Sequence, residues 1–97
     1  MASLELLQSW ARTELLLKEA RDLLSPEVTQ EHQLALMQMT DFIKHNELGL
    51  AFDWLKSIAE ESQWDCVALL KTLVLAAETM NRTDDGNALR QRIVELA

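Results

Sequence analysis

Apolar residues recur at helical spacing along most of the chain, and the breaks in that rhythm mark the elements. Leu6, Trp10, Leu17, Ala20 and Leu24 follow one another at four, seven, three and four residues, which predicts a first helix from a cap at Ser3 to about Leu24. Leu4, Leu7, Ala11 and Leu15 form a second stripe on the same segment. A helix that packs on one side needs a single apolar face of about 100°, so two stripes imply a second neighbour or a partner chain. Ser25-Pro26-Glu27 then stops one helix and starts another: Ser25 suits the cap, Pro26 the first helical position and Glu27 the positive helix end. Val28, His32, Ala35, Leu36, Met39, Phe42 and Ile43 line the inner face of this second helix through about His45. Leu34 and Met37 lie toward a flank, and Gln30, Gln33, Gln38 and Asp41 lie outside.

Asn46 ends that helix or caps the next. A third helix, from about Glu47 to Glu61, sets Leu48, Ala51, Phe52, Leu55, Ile58 and Ala59 on one face. Gly49 in its first turn costs up to about 1 kcal/mol against alanine, which a close helix crossing or a tight hinge would justify. Ser62 and Asp65 have capping-box spacing before a run from Trp64 to Met80 that is apolar on most sides, with Lys71, Thr72, Glu78 and Thr79 as its wet strip. So apolar and short a helix reads as the central core element. Asn81 to Gly86 breaks it, with Thr83 or Asp84 as the next cap, and a last helix turns Leu89, Ile93 and Leu96 inward. No internal repeat or low-complexity segment is visible. The pattern predicts an all-α fold: one domain over residues 1–97, a helical bundle of about five helices around a hydrophobic central helix.

Composition agrees. Apolar residues make up 48% of the 97 and charged residues 26%, with two glycines and one proline, which argues against disorder and against a turn-rich β fold. Ninety-seven residues suffice for one core without metal or disulfide staples. The single cysteine, Cys66, sits in an apolar run, so a buried thiol in a reducing compartment is expected. The first residues lack a basic segment followed by an apolar run, and no stretch of about 18 apolar residues is free of charge. A cytoplasmic protein without a membrane span is the expectation.

Charge changes the picture more than composition does. The formal net charge is −7, which opposes direct binding to phosphate backbones. Residues 27–65 hold eight acids, Glu27, Glu31, Asp41, Glu47, Asp53, Glu60, Glu61 and Asp65, against Lys44 and Lys56 alone, so almost all the excess lies in the middle of the chain. That segment is either a solvated helical face or a docking surface for a basic protein.

Chemistry finds little footing. His32, His45 and Cys66 are isolated, and Glu31 and His32, being adjacent, point in different directions from a helix, so no metal site is expected. His32 reads as a core-edge residue, and His45 as a helix-end residue, a place where an imidazolium would offset the negative dipole. Cys66 lies among aliphatic residues without a credible base to pair with it, and no glycine-rich loop supplies an oxyanion site or phosphate cradle, so neither an enzyme nor a cofactor is expected. Glu60-Glu61 and Asp84-Asp85 are sequence neighbours at helix boundaries rather than carboxylates opposed across a cleft. No helix carries the basic face of a DNA reader, which sets direct nucleic-acid binding aside.

Trp10 and Trp64 fall near apolar stripes, but Trp54 stands off the line of Leu48, Phe52 and Leu55, next to Asp53. An aromatic at the border of an acidic face is a good interface anchor, and plain packing against another helix is its other reading. Across His45-Asn46-Glu47-Leu48-Gly49-Leu50-Ala51-Phe52-Asp53-Trp54-Leu55 the chain resembles a motif of MafI-like proteins, small bacterial immunity proteins found beside polymorphic toxins. The resemblance implies a cytoplasmic protein that binds a cognate toxin domain and blocks it. An acidic middle segment suits that role, since it can mimic a polyanion or neutralise the basic groove of a nuclease. Charge and helical position single out Glu31, Asp41, Glu47, Asp53, Trp54 and Glu60 as the partner-binding surface. The main alternative is a self-associating interaction or scaffold module, a homodimer in which the second stripe of the first helix and Trp54 bury against a copy. A small transcriptional regulator is the third reading.

Overall fold

The computed structural model describes residues 3–61 and 66–96, which form helices α1 (Leu4–Asp22), α2 (Pro26–Glu31), α3 (Gln33–Lys44), α4 (Leu48–Glu61), α5 (Val67–Thr79) and α6 (Thr83–Leu96). The fold is an all-α helical bundle. The capping-box pair Ser62 and Asp65, and Trp64, lie outside the described residues. No helix among the described residues is long and apolar enough to cross a membrane.

Local chemistry explains most boundaries. Ser3 accepts from the Leu6 amide at 3.1 Å and opens α1; Ser25 accepts from the Val28 amide at 3.2 Å and opens α2, with Pro26 in its first turn. The α3–α4 and α5–α6 connections are built alike. Asn46 and Asn81 both adopt φ of 57°, the left-handed conformation that asparagine tolerates better than most residues. In each connection the amide after the asparagine reaches back five residues, Glu47 to the Phe42 carbonyl at 2.8 Å and Arg82 to the Ala77 carbonyl at 2.9 Å. The asparagine amides themselves donate to Ile43 and Glu78. Both are Schellman ends, which stop one helix and let the next begin almost at once.

Three expectations need correction. The second helix does not run unbroken to His45: His32, at φ −109° and ψ 28°, leaves helical geometry and divides it into α2 and α3. The break after α5 is shorter than Asn81 to Gly86, because Thr83 and Asp84 already belong to α6, Arg82 precedes it, and Gly86 is buried within it against Ala77. Gly49 is neither a hinge nor a helix crossing. It has no positive φ, and a Cβ there would lie 3.2 Å from Nη2 of Arg82, whose side chain crosses the first turn of α4.

α5 packs most extensively on α1 and α6 and also touches α4, while α3 packs on α4 and α4 on α1. Leu17, Met39, Phe52, Leu55, Leu69 and Leu73 are wholly buried between these helices, each stabilising the fold by roughly 1.5–3 kcal/mol of transfer free energy. Cys66, expected to be buried, is instead half-buried just before α5 and packs at the edge of the same core, as do Trp10 and Phe42. Thr13 is fully buried where α1 meets α5. Its hydroxyl lies 2.9 Å from the Ser9 carbonyl and 2.5 Å from the Thr79 hydroxyl, which in turn lies 2.7 Å from the Ala76 carbonyl. The molecule measures 40 × 29 × 17 Å between outermost Cα positions. With helices packing 8–10 Å apart, that short dimension is about two helices thick, so the helices keep an outer face.

Candidate protein-binding face

α4 presents three sides to three environments. Leu48, Ala51, Phe52, Leu55, Ile58 and Ala59 face the core and are buried, as the 3.6-residue period requires. The flank bearing Asp53, Lys56 and Glu60 holds a chain of ion pairs with the start of α6. Arg82 donates from Nη1 to Oδ1 of Asp53, from Nη2 to Oδ2 of Asp53 at 3.3 Å, and from Nη1 to Oδ2 of Asp85 at 3.5 Å. Lys56 donates to the other Asp85 oxygen at 3.2 Å and stands 3.6 Å from the Glu60 carboxylate. The Arg82 guanidinium also lies 5.3 Å from the centroid of the Phe52 ring, within cation–π reach.

This network explains two pKa shifts. Arg82 is raised above its usual value by the hydrogen bonds it donates to Asp53, which with the charges of Asp53 and Asp85 outweigh its partial burial. For Lys56, burial is the largest single influence and pulls downward, but the Asp85 hydrogen bond and the charges of Glu60 and Asp85 together carry the net shift upward. Both groups are held more firmly protonated, which suits ion pairing and not general-base chemistry.

The third side of α4 faces outward. Glu47, Leu50, Trp54, Ser57 and Glu61 follow at three, four, three and four residues and so share one row. All five are exposed, Leu50 at 47% and Trp54 at 40%. Two apolar side chains one turn apart, with an acid at each end, make a small greasy strip inside an acidic border.

The six residues singled out from sequence therefore fall into separate groups. Glu47 and Trp54 lie on the outward row. Asp53 and Glu60 lie on the flank beside it, where Arg82 and Lys56 partly neutralise them. Asp41 is exposed on the outer side of α3, its carbonyl accepting from the backbone amide and Nδ1 of His45. Glu31 is exposed at the last residue of α2. Sequence reading left Leu50 out of the surface, although its place four residues before Trp54 and off the core positions was a usable signal. It also left out Arg82, for which no local signal exists: the residue stands 29 positions from Asp53 and meets it only through the fold.

Among the described residues, depressions also occur away from the outward row. A groove of about 770 Å³ lies between the end of α1, α2 and α3, lined among others by Leu24, Leu36, Met37, Thr29, Gln30 and Gln33. A smaller one of about 400 Å³ lies where Asn46, Asn81 and Arg82 approach Trp10. No cluster of three or more His, Cys, Asp or Glu suited to a metal ion occurs among the described residues. Comparison with known protein families, curated proteins and solved structures finds no match to this chain.

Proposed function

We propose that this protein works by binding another protein, and that its partner is a toxin domain that it neutralises in the cytoplasm. The observation that carries the binding reading is the outward row of α4. Leu50 and Trp54 stand half-exposed on a well-packed helix whose opposite side is fixed in the core. Aromatic anchors of this kind supply much of the energy of an interface, and a rigid support spares the cost of ordering them on binding. Glu47 and Glu61 at the ends of the row, within a segment that holds nearly all of the net −7, favour a basic partner and speed its approach. The toxin assignment rests on the likeness of the His45–Leu55 segment to immunity proteins, and α4 carries most of that segment.

The test is co-expression of the tagged protein with the product of the adjacent reading frame, read by pull-down and by rescue of growth. A stable complex with rescue supports the proposal; a toxic product that is neither bound nor neutralised opposes it. The Asp53–Arg82 pair decides which variants are informative. Reversing the charge of Asp53 would break an intramolecular bond, whereas Leu50 and Trp54 can be changed without disturbing the ion pairs.

A further inference from the structure

We infer that two copies of this chain associate through the outer face of α1, antiparallel, about a two-fold axis at Ala11. Leu4, Leu7 and Leu15 are 71%, 50% and 63% exposed, and Ala11 between them is exposed as well, while the opposite side of α1 buries Thr13, Leu16, Leu17 and Ala20. The second stripe of the sequence is thus left largely open to solvent by the described residues of its own chain.

Two features select a second copy as its occupant. The first is charge. Identical chains that each carry −7 repel wherever their acids gather, so self-association needs a face of low local charge. α1 meets that need: Glu5, Glu14, Glu19 and Asp22 stand against Arg12, Lys18 and Arg21, and Glu14 and Lys18 are already paired at 3.5 Å. The acidic middle of the chain, which would attract a basic partner, would push a copy away.

The second feature is the symmetry of the stripe. An isologous contact requires a surface complementary to itself. Leu7 and Leu15 lie four residues to either side of Ala11, so antiparallel pairing about Ala11 sets Leu7 of each copy against Leu15 of the other. The small side chain at the axis lets the helices approach closely. Leu4 of one copy then meets Lys18 of the other, whose methylenes cover the leucine while the ammonium stays in water. Glu47, Leu50 and Trp54 take no part in this pairing.

The experiment uses the protein alone, so its outcome is independent of whether a toxin partner exists. Sedimentation equilibrium from about 1 μM to about 1 mM is expected to show the mass rising to twice that of one chain, and Ala11→Glu to raise the dissociation constant at least about tenfold. Orientation is read by cross-linking in a Cys66→Ser background. Ala11→Cys should oxidise to a disulfide dimer, and a mixture of Leu7→Cys with Leu15→Cys should form the mixed dimer. Leu4→Cys should not cross-link to itself, because its two copies would lie about 21 Å apart. A single-chain mass across the whole range overturns the inference. Efficient Leu4→Cys self-cross-linking overturns the antiparallel arrangement.

Discussion

Arg82 holds Asp53 with both terminal nitrogens of its guanidinium, and in doing so lies across the one position of α4's first turn that has no side chain, Gly49. The start of α6 is thereby tied to α4 by a bidentate ion pair over the Phe52 ring.

Removing the guanidinium should cost little but measurably. Asp53 and Arg82 are partly solvated, so Arg82→Met should lower stability by about 1 kcal/mol, seen as a drop of about 4–8 °C in the thermal midpoint by circular dichroism. An unchanged midpoint would mean that the pair contributes nothing.

Gly49→Ala should depend on what stands at position 82. Alanine favours a helix by up to about 1 kcal/mol over glycine, but its Cβ would crowd Arg82 at 3.2 Å. The substitution should be near neutral in the native chain and stabilising by about 0.5 kcal/mol when Arg82 is also Met, a coupling that a double-mutant cycle in urea would read. Equal effects in both backgrounds would show that Arg82 does not constrain the glycine.

Lys56 gives the molecule an alkaline signature. Its pKa is raised on folding above the usual 10.5, so its contribution is fully present below that value and is lost as pH rises through the folded pKa. The stability difference between the native chain and Lys56→Met should therefore be constant from about pH 7 to pH 9 and shrink above about pH 10.5. Urea midpoints across that range would test it, and a difference that stays flat to high pH would contradict it.

The paired hydroxyls of Thr13, fully buried, and Thr79, half-buried, should be non-additive. Thr13→Val removes a bond in a fully buried site and should cost about 1–2 kcal/mol, as should Thr79→Val. The double variant should cost less than the two together, because neither partner then remains to be left unsatisfied. Strict additivity in chemical unfolding would argue against the Thr13–Thr79 contact.

The legible parts of this fold are those in which a local rule meets no competitor. The buried face of α4 follows from its period alone, and the openings of α1 and α2 from Ser3 and from Ser25-Pro26. The division at His32 was hidden because the apolar rhythm passes through it and neither glycine nor proline marks it. Gly86 misled because a glycine near a polar run signals a loop, whereas here it lets α6 lie against Ala77. The acidic surface was legible as composition but not as arrangement: the two cations that neutralise Asp53 and Glu60 include one that reaches α4 from the next hairpin. Trp54 and Leu50 break the core pattern equally, but only an aromatic is by itself a signal of an interface anchor.

Charge at the ends of the row should govern how fast a partner arrives. Glu47→Gln with Glu61→Gln should slow association with a basic partner severalfold at low salt and leave dissociation nearly unchanged, with the difference fading as salt is raised. Stopped-flow binding at two ionic strengths would show it, and a salt-independent loss would assign the two acids another role.

The affinity of the Leu50→Ser/Trp54→Ala double variant for the product of the adjacent reading frame, measured by titration calorimetry beside the native chain, tests the docking role of α4 most directly. The outward row of α4 predicts a tight native complex and a loss of at least about a hundredfold in the variant, roughly 2.7 kcal/mol, with the thermal midpoint of the free protein unchanged. A variant that binds as tightly as the native chain would show that this face is not where the partner docks.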